Sequence, residues 1–229
     1  MAPLTTRTRA KGVACVPPPQ PGQRSSGSGS MRGLLRLMGL LAALAWLIGP
    51  ATGGAADLEA GWSKTAVCVP CHGIDGNSTN PAMPSLAGQP PLYTYYQLLQ
   101  FREGQRVDPQ MSPVVVGLSD ADMQDMAAYY AAQTPVAPRG TGDPVRLEAG
   151  RGLVQTHHCD SCHVPGLVGQ KHIPRLAGQH YEYLLKQLRA YKAQTRTDLD
   201  GSMTMAAQPL SAEDIEILAY YLAHLGPMP

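Results

Sequence analysis

Two short runs hold the residues that could do chemistry: Cys68-Val69-Pro70-Cys71-His72 and Cys159-Asp160-Ser161-Cys162-His163. Two cysteines at i and i+3 present their sulfurs on one side of a turn, where they can form thioethers to the two vinyl groups of a porphyrin. The histidine that follows can then offer its imidazole to the iron, and Cys-x-x-Cys-His is the attachment pattern of c-type haem. Rival chemistries use the same residue types. A zinc site closes four ligands around one metal, often by bringing two such pairs together. A thioredoxin-like pair works in a βαβ setting, and neighbouring cysteines can also form plain disulfides. Here each pair sits inside its own complete repeat unit and no strand pattern is visible, which favours haem.

A methionine on the far side of the iron would complete its coordination and raise its potential. In the first half the candidate is Met111, in Asp108-Pro109-Gln110-Met111-Ser112-Pro113, seven residues before Leu118. Met83 lies too close to the attachment loop, and Met123 and Met126 fall on a helix core face. The second half offers Met203 and Met205; Met203 stands seven residues before Leu210, the spacing of Met111 to Leu118, and is preferred, with Met205 the alternative. A methionine that binds nothing is an apolar gap filler. The remaining histidines, His157, His158, His172, His180 and His224, read as surface or hydrogen-bonding residues.

The elements that position these groups come in two copies. Leu58-Glu59-Ala60-Gly61 returns as Leu147-Glu148-Ala149-Gly150, and Pro84-Ser85-Leu86-Ala87-Gly88-Gln89 as Pro174-Arg175-Leu176-Ala177-Gly178-Gln179. Gln97-Leu98, Arg106, Leu118-Ser119 and Tyr129 return as Gln187-Leu188, Arg196, Leu210-Ser211 and Tyr221, always 89 to 92 residues on. Each copy reads as helical. Ser119 with Asp122, and Ser211 with Asp214, predict acidic capping boxes. Behind them Met123, Met126, Ala127 and Tyr130, or Ile215, Leu218, Ala219 and Leu222, recur at i, i+3, i+4 and i+7. Middle helices are predicted near 93–102 and 181–192, and a short helix before each cysteine pair, the second capped by Asp143 with Pro144 at its first position. The expected organisation is a domain at 57–138, a linker at 139–144 and a second domain at 145–229.

Residues 1–30 are rich in Pro, Ser, Gly and Arg and read as a disordered or upstream leader. From Met31, two arginines, an apolar run over 37–48 and a small-residue stretch ending near Ala56 have the layout of a secretory signal peptide. The run is short of the ~20 residues a membrane span needs. Cys15 falls outside the mature segment, leaving four cysteines.

The 229-residue chain is 44% hydrophobic and 15% charged, with a formal charge of +1, and it has one Phe and two Trp against 24 Gly and 21 Pro. No basic stripe speaks for a nucleic-acid partner. A domain of this size with so few large apolar side chains buries little surface by itself, so a bulky cofactor in its interior is expected. Residues 57–229 carry 12 bases and 17 acids, a net of −5, with about −4 before Asp143 and −1 from it onward.

These residues resemble the dihaem cytochromes c of the cytochrome c4 type across essentially all of 57–229. The resemblance rests on duplicated Cys-x-x-Cys-His, on Pro-x-Leu-Ala-Gly-Gln after each, on Arg followed by a ligand-loop Met, and on the Leu-Ser-x-x-Asp start of each last helix. It implies an all-α protein of two tandem class I cytochrome c domains related by internal duplication and packed about a pseudo-twofold axis. Carried over by position, Cys68 and Cys71 hold one haem c covalently with His72 and Met111 as axial ligands. Cys159 and Cys162 hold a second, with His163 and Met203. The resemblance also implies that the carbonyls of Pro84 and Pro174 accept the Nδ1 hydrogens of the histidines, and that Tyr93, Arg106, Tyr181 and Arg196 pair with the propionates.

The function so implied is single-electron transfer in the periplasm, with possible peripheral membrane association. The donor would be a quinol–cytochrome c reductase or a dehydrogenase and the acceptor a terminal oxidase. The alternative is a dihaem subunit of a complex oxidising sulfide, thiosulfate or alcohol. A peroxidase-like enzyme needs one iron without its methionine, and both halves have a candidate. No catalytic residue is therefore assigned.

Overall fold

The computed structural model describes residues 57–136 and 140–226. The leader at 1–30, the signal segment at 31–56 and Arg139 of the expected linker lie outside the described residues. The first half contains α1 (Leu58–Lys64), α2 (Val69–His72), α3 (Pro91–Arg102), α4 (Met111–Val115) and α5 (Asp120–Ala131). The second contains α6 (Pro144–Thr156), α7 (Cys159–His163), α8 (Tyr181–Lys192), α9 (Ser202–Ala207) and α10 (Ala212–His224). Among the described residues there is no strand, only an isolated bridge between Gln170 and Ile173, and no helix long and apolar enough to cross a membrane.

Local chemistry sets the helix ends. Ser119 and Ser211 accept hydrogen bonds from the backbone N–H groups of Asp122 and Asp214, whose carboxylates accept in return from the serine N–H groups. These are the two predicted capping boxes. Asp57 caps α1 through the N–H groups of Glu59 and Ala60, and Asp143 caps α6 through that of Arg146. Helix α3 begins at Pro91, two residues before the predicted start, because a proline at the first position lacks only an N–H that would have had no partner. The predicted apolar faces of α5 and α10 are buried throughout.

In both halves the first helix crosses the last, α1 on α5 and α6 on α10, and the middle helix packs on the last. Each crossing occurs at the glycine of the repeated Leu-Glu-Ala-Gly. A Cβ on Gly61 would stand 2.3 Å from the Asp125 carbonyl oxygen, and one on Gly150 2.3 Å from Tyr221 Cβ. The halves differ just after the attachment motif. Gly73 takes φ 82 in the first half, while Val164 holds φ 58, ψ 165 in the second, a region essentially reserved for glycine.

The two Pro-x-Leu-Ala-Gly-Gln stretches meet at the junction of the halves and clasp each other reciprocally. Gln89 Nε2 donates to the Arg175 carbonyl and its Oε1 accepts from the Arg175 N–H, at 2.9 and 3.0 Å. Gln179 does the same to Ser85, both bonds at 2.8 Å. The Arg175 guanidinium lies inside this junction and donates to the carbonyls of Ala87 and Ala177; burial draws its pKa down to about 10. His180 Nε2 bonds the Ser78 carbonyl across the same boundary at 2.9 Å.

Gly150→Val forces α6 off α10, an overpacking cost of about 3 kcal/mol, and thermal unfolding should show the midpoint falling by on the order of 15 °C. Val164→Gly should raise stability by about 1 kcal/mol, because relief of backbone strain outweighs the added entropy of the unfolded chain. Denaturant titration of both variants checks the pair, and an unchanged midpoint for either contradicts its assignment.

Candidate haem-binding sites

In the first half α2 carries both Cys71 and His72. The histidine is buried, and its Nδ1 lies 2.8 Å from the Pro84 carbonyl. A carbonyl accepts only from an N–H, so Nδ1 holds the proton and Nε2 keeps a lone pair. Burial pulls the imidazole pKa below its ordinary value, with the Pro84 bond acting the other way, so the ring is neutral and able to bind a metal. Val67, Cys68, Cys71, His72, Met83, Gln110, Met111 and Val114 line one cleft. The structure therefore brings four predicted residues together: Cys68, Cys71, His72 and Met111. It also adds Met83, which position along the chain had set aside. Across the repeat Met83 corresponds to Ile173, which has no sulfur, whereas Met111 corresponds to Met203.

The second half repeats the histidine anchor. His163 is buried, with Nδ1 2.8 Å from the Pro174 carbonyl, and burial lowers its pKa against that bond. Met203 is half-buried and packs against the core, whereas Met205 is 69% exposed. Both preferred methionines lie at helix starts, in α4 and α9, where loops were expected. An aspartate organises each segment. Asp108 accepts from the N–H groups of Gln110 and Met111, and Asp198 from those of Met203 and Thr204. Asp108 also pairs with Lys186 across the junction at 3.1 Å. Both aspartates stand two residues after a matched arginine, so the signal for them in the sequence is a repeated Arg-x-Asp.

Arg106 and Arg196 meet at the junction. Each donates to both Gln97 Oε1 and Gln187 Oε1, and Arg106 also donates to the Tyr183 hydroxyl. Burial tends to raise the Tyr183 pKa, but the two guanidiniums prevail and draw it down. Of the residues proposed to face propionates, Tyr93 joins this cluster through Arg196. Tyr181 does not: it packs on the second core, and Tyr183, two residues further along α8, takes the place in the cluster through its bond from Arg106.

This surrounding fits the group that the cysteines imply. Two guanidiniums share neutral acceptors, Arg196 Nε is buried without a partner, and neither arginine forms an ion pair with a carboxylate of the described residues. A buried guanidinium beside a half-buried one suits the carboxylates of a porphyrin. The cysteine thiols are unbridged, with burial pushing the pKa values of Cys68 and Cys159 up. Among the described residues no group of three or more His, Cys, Asp or Glu is placed to hold a metal.

A cytochrome c family model matches residues 62–132 and 147–226. Cytochrome c4 of Pseudomonas aeruginosa is 38% identical over 183 residues, covering 75% of this chain and 90% of that protein. The crystal structure of reduced recombinant cytochrome c4 from Pseudomonas stutzeri is similar at a TM-score of 0.69 and 36% identity, over 75% of this chain and 100% of that one. The thiosulfate dehydrogenase electron acceptor of Stutzerimonas stutzeri is 34% identical over 173 residues, covering 69% of this chain and 79% of that protein. The helical fold and its duplicated attachment sites are those of tandem class I cytochrome c domains. The chain belongs to the cytochrome c family, as a dihaem electron carrier of the cytochrome c4 type. Two covalently bound haem c groups follow.

Single alanine substitutions separate the methionines. Met111→Ala and Met203→Ala should each remove about half of the near-infrared methionine–iron charge-transfer band, while Met83→Ala and Met205→Ala should leave it intact. Absorbance of the oxidised protein reads the outcome directly, and loss of the band in Met205→Ala would transfer the second assignment to that residue.

Proposed function

We propose that the chain is a periplasmic carrier that passes single electrons between respiratory partners, with His72 and Met111 as the axial ligands in the first domain and His163 and Met203 in the second. The observation that carries this reading is the first cleft, where a neutral, carbonyl-anchored imidazole and a methionine thioether line the same space as two cysteine sulfurs. When bound, haem c supplies a one-electron Fe(III)/Fe(II) couple. The chain's own residues do the rest. Cys68, Cys71, Cys159 and Cys162 tether; Pro84 and Pro174 fix the histidine tautomers; Arg106, Arg196, Tyr93 and Tyr183 pair with the propionates at the junction. Four axial side chains fill both irons, leaving no position for a substrate.

Export by the 31–56 segment, with cleavage near Ala56, agrees with haem attachment outside the cytoplasm, where each thiol adds across a vinyl group, and leaves a mature chain of net charge −5. Such a surface favours partners with basic docking sites and association rates that fall as salt rises. A quinol–cytochrome c reductase or a dehydrogenase would be the donor and a terminal oxidase the acceptor. Membership of a dehydrogenase complex is the second reading, favoured by similarity to a thiosulfate dehydrogenase electron acceptor.

A spectroscopic redox titration of purified protein, with haem counted per chain, tests the assignment. Two haems, two one-electron steps and no carbon monoxide binding by the reduced protein are expected. Ready binding of carbon monoxide at one iron would move the reading to a ligand-activating enzyme, and stable copurification with a flavin- or quinone-bearing protein to the second reading.

A further inference from the structure

The clasp at the junction runs through the same peptide units that anchor the two imidazoles. The Pro84–Ser85 peptide accepts the His72 Nδ1–H bond at its oxygen, at 2.8 Å, and donates its N–H to Gln179 Oε1, also at 2.8 Å. The Pro174–Arg175 peptide accepts from His163 at 2.8 Å and donates to Gln89 Oε1 at 3.0 Å. Both glutamines are only 3% exposed. Their amide nitrogens are committed to the carbonyls of Ser85 and Arg175, which fixes which end of each amide accepts. Each histidine is thus joined, through one peptide unit, to a side chain of the opposite half.

A hydrogen bond at an amide N–H polarises the amide and makes its carbonyl a stronger acceptor. A stronger acceptor draws harder on the Nδ1 proton, so the imidazole becomes a better electron donor at Nε2, and outer hydrogen bonds of this kind tune a ligated metal. Electron donation stabilises the oxidised iron and lowers its potential. We propose that each proximal histidine is tuned from the other half, with Gln179 acting on His72 and Gln89 acting on His163. Both glutamines are positioning residues, and the proposal rests on the reading of His72 and His163 as iron ligands. It makes the docking of the halves part of the redox properties of each centre, because separated halves would lose both bonds.

The test uses the full-length holoprotein carrying Gln179→Met or Gln89→Met, with each potential followed separately by NMR redox titration. The first haem is assigned through its proximity to Val67 and Val114, which line the first cleft. Gln179→Met should raise the first haem's potential, increasing its reduced-to-oxidised ratio at a fixed potential by about threefold to tenfold, where tenfold corresponds to 59 mV. The second haem should move much less, and Gln89→Met should give the mirror result. Equal shifts at both haems, as from a loosened junction, a shift confined to the mutated half, or no shift would each overturn the proposal. Gln179→Glu, which keeps an acceptor for the Ser85 N–H and adds negative charge, should lower the first potential and serves if the methionine variant does not fold. Ferric spectra of the wild type keep the two failures apart. Intact histidine ligation with unmoved potentials overturns the tuning alone, and absent histidine ligation overturns the ligand reading as well.

Discussion

The buried hydrogen bond from a histidine Nδ1 to a proline carbonyl is the constraint around which the rest of the structure is arranged. It occurs once in each half, at the same length, between an attachment histidine and a proline eleven or twelve residues further along the chain. Without it a buried imidazole could turn about its bonds or change tautomer, and no single nitrogen would stay aimed at a metal. With it the ring is neutral and oriented. Proline suits the position because it fixes its own backbone angle and leaves its carbonyl free to accept.

Around that bond the chain does unusually little apolar packing for its length. The first half buries Phe101, Val115, Met123, Met126 and Tyr130, and the second a larger aliphatic cluster on α6, α8 and α10. Close helix crossing at Gly61 and Gly150 compensates in part, since backbones in contact recover dispersion that missing side chains cannot supply. In the first half, cysteine, histidine and methionine face one cleft, a distribution that suits a large planar cofactor as part of the fold.

The junction is polar where a core would be apolar. Gln89, Gln179, Arg175, Arg106 and Arg196 make it a lattice of hydrogen bonds, each net worth only about 1 kcal/mol but costly to leave half-made. Such an interface is specific more than it is strong: a shift of one residue leaves several buried donors without partners. The near-exact reciprocity of the glutamine clasps shows the duplication preserved as a twofold relation in space. Arg175 and Ser85 break it, placing a buried cation on one side only.

Much of this was legible in the residues alone. The repeat, the attachment motifs, the capping boxes and the apolar faces of α5 and α10 depend on local spacing, which a linear sequence records fully. So did the pairing of His72 with Pro84 and His163 with Pro174, because resemblance supplied what spacing did not. The arrival of Met83 in the first cleft, the place of Tyr183 rather than Tyr181 in the arginine cluster and the use of Gln89 and Gln179 as clasps were decided in three dimensions. Each depends on which way a side chain faces once helices have crossed and the two halves have met, and contacts between residues some ninety positions apart leave no periodicity for the sequence to show.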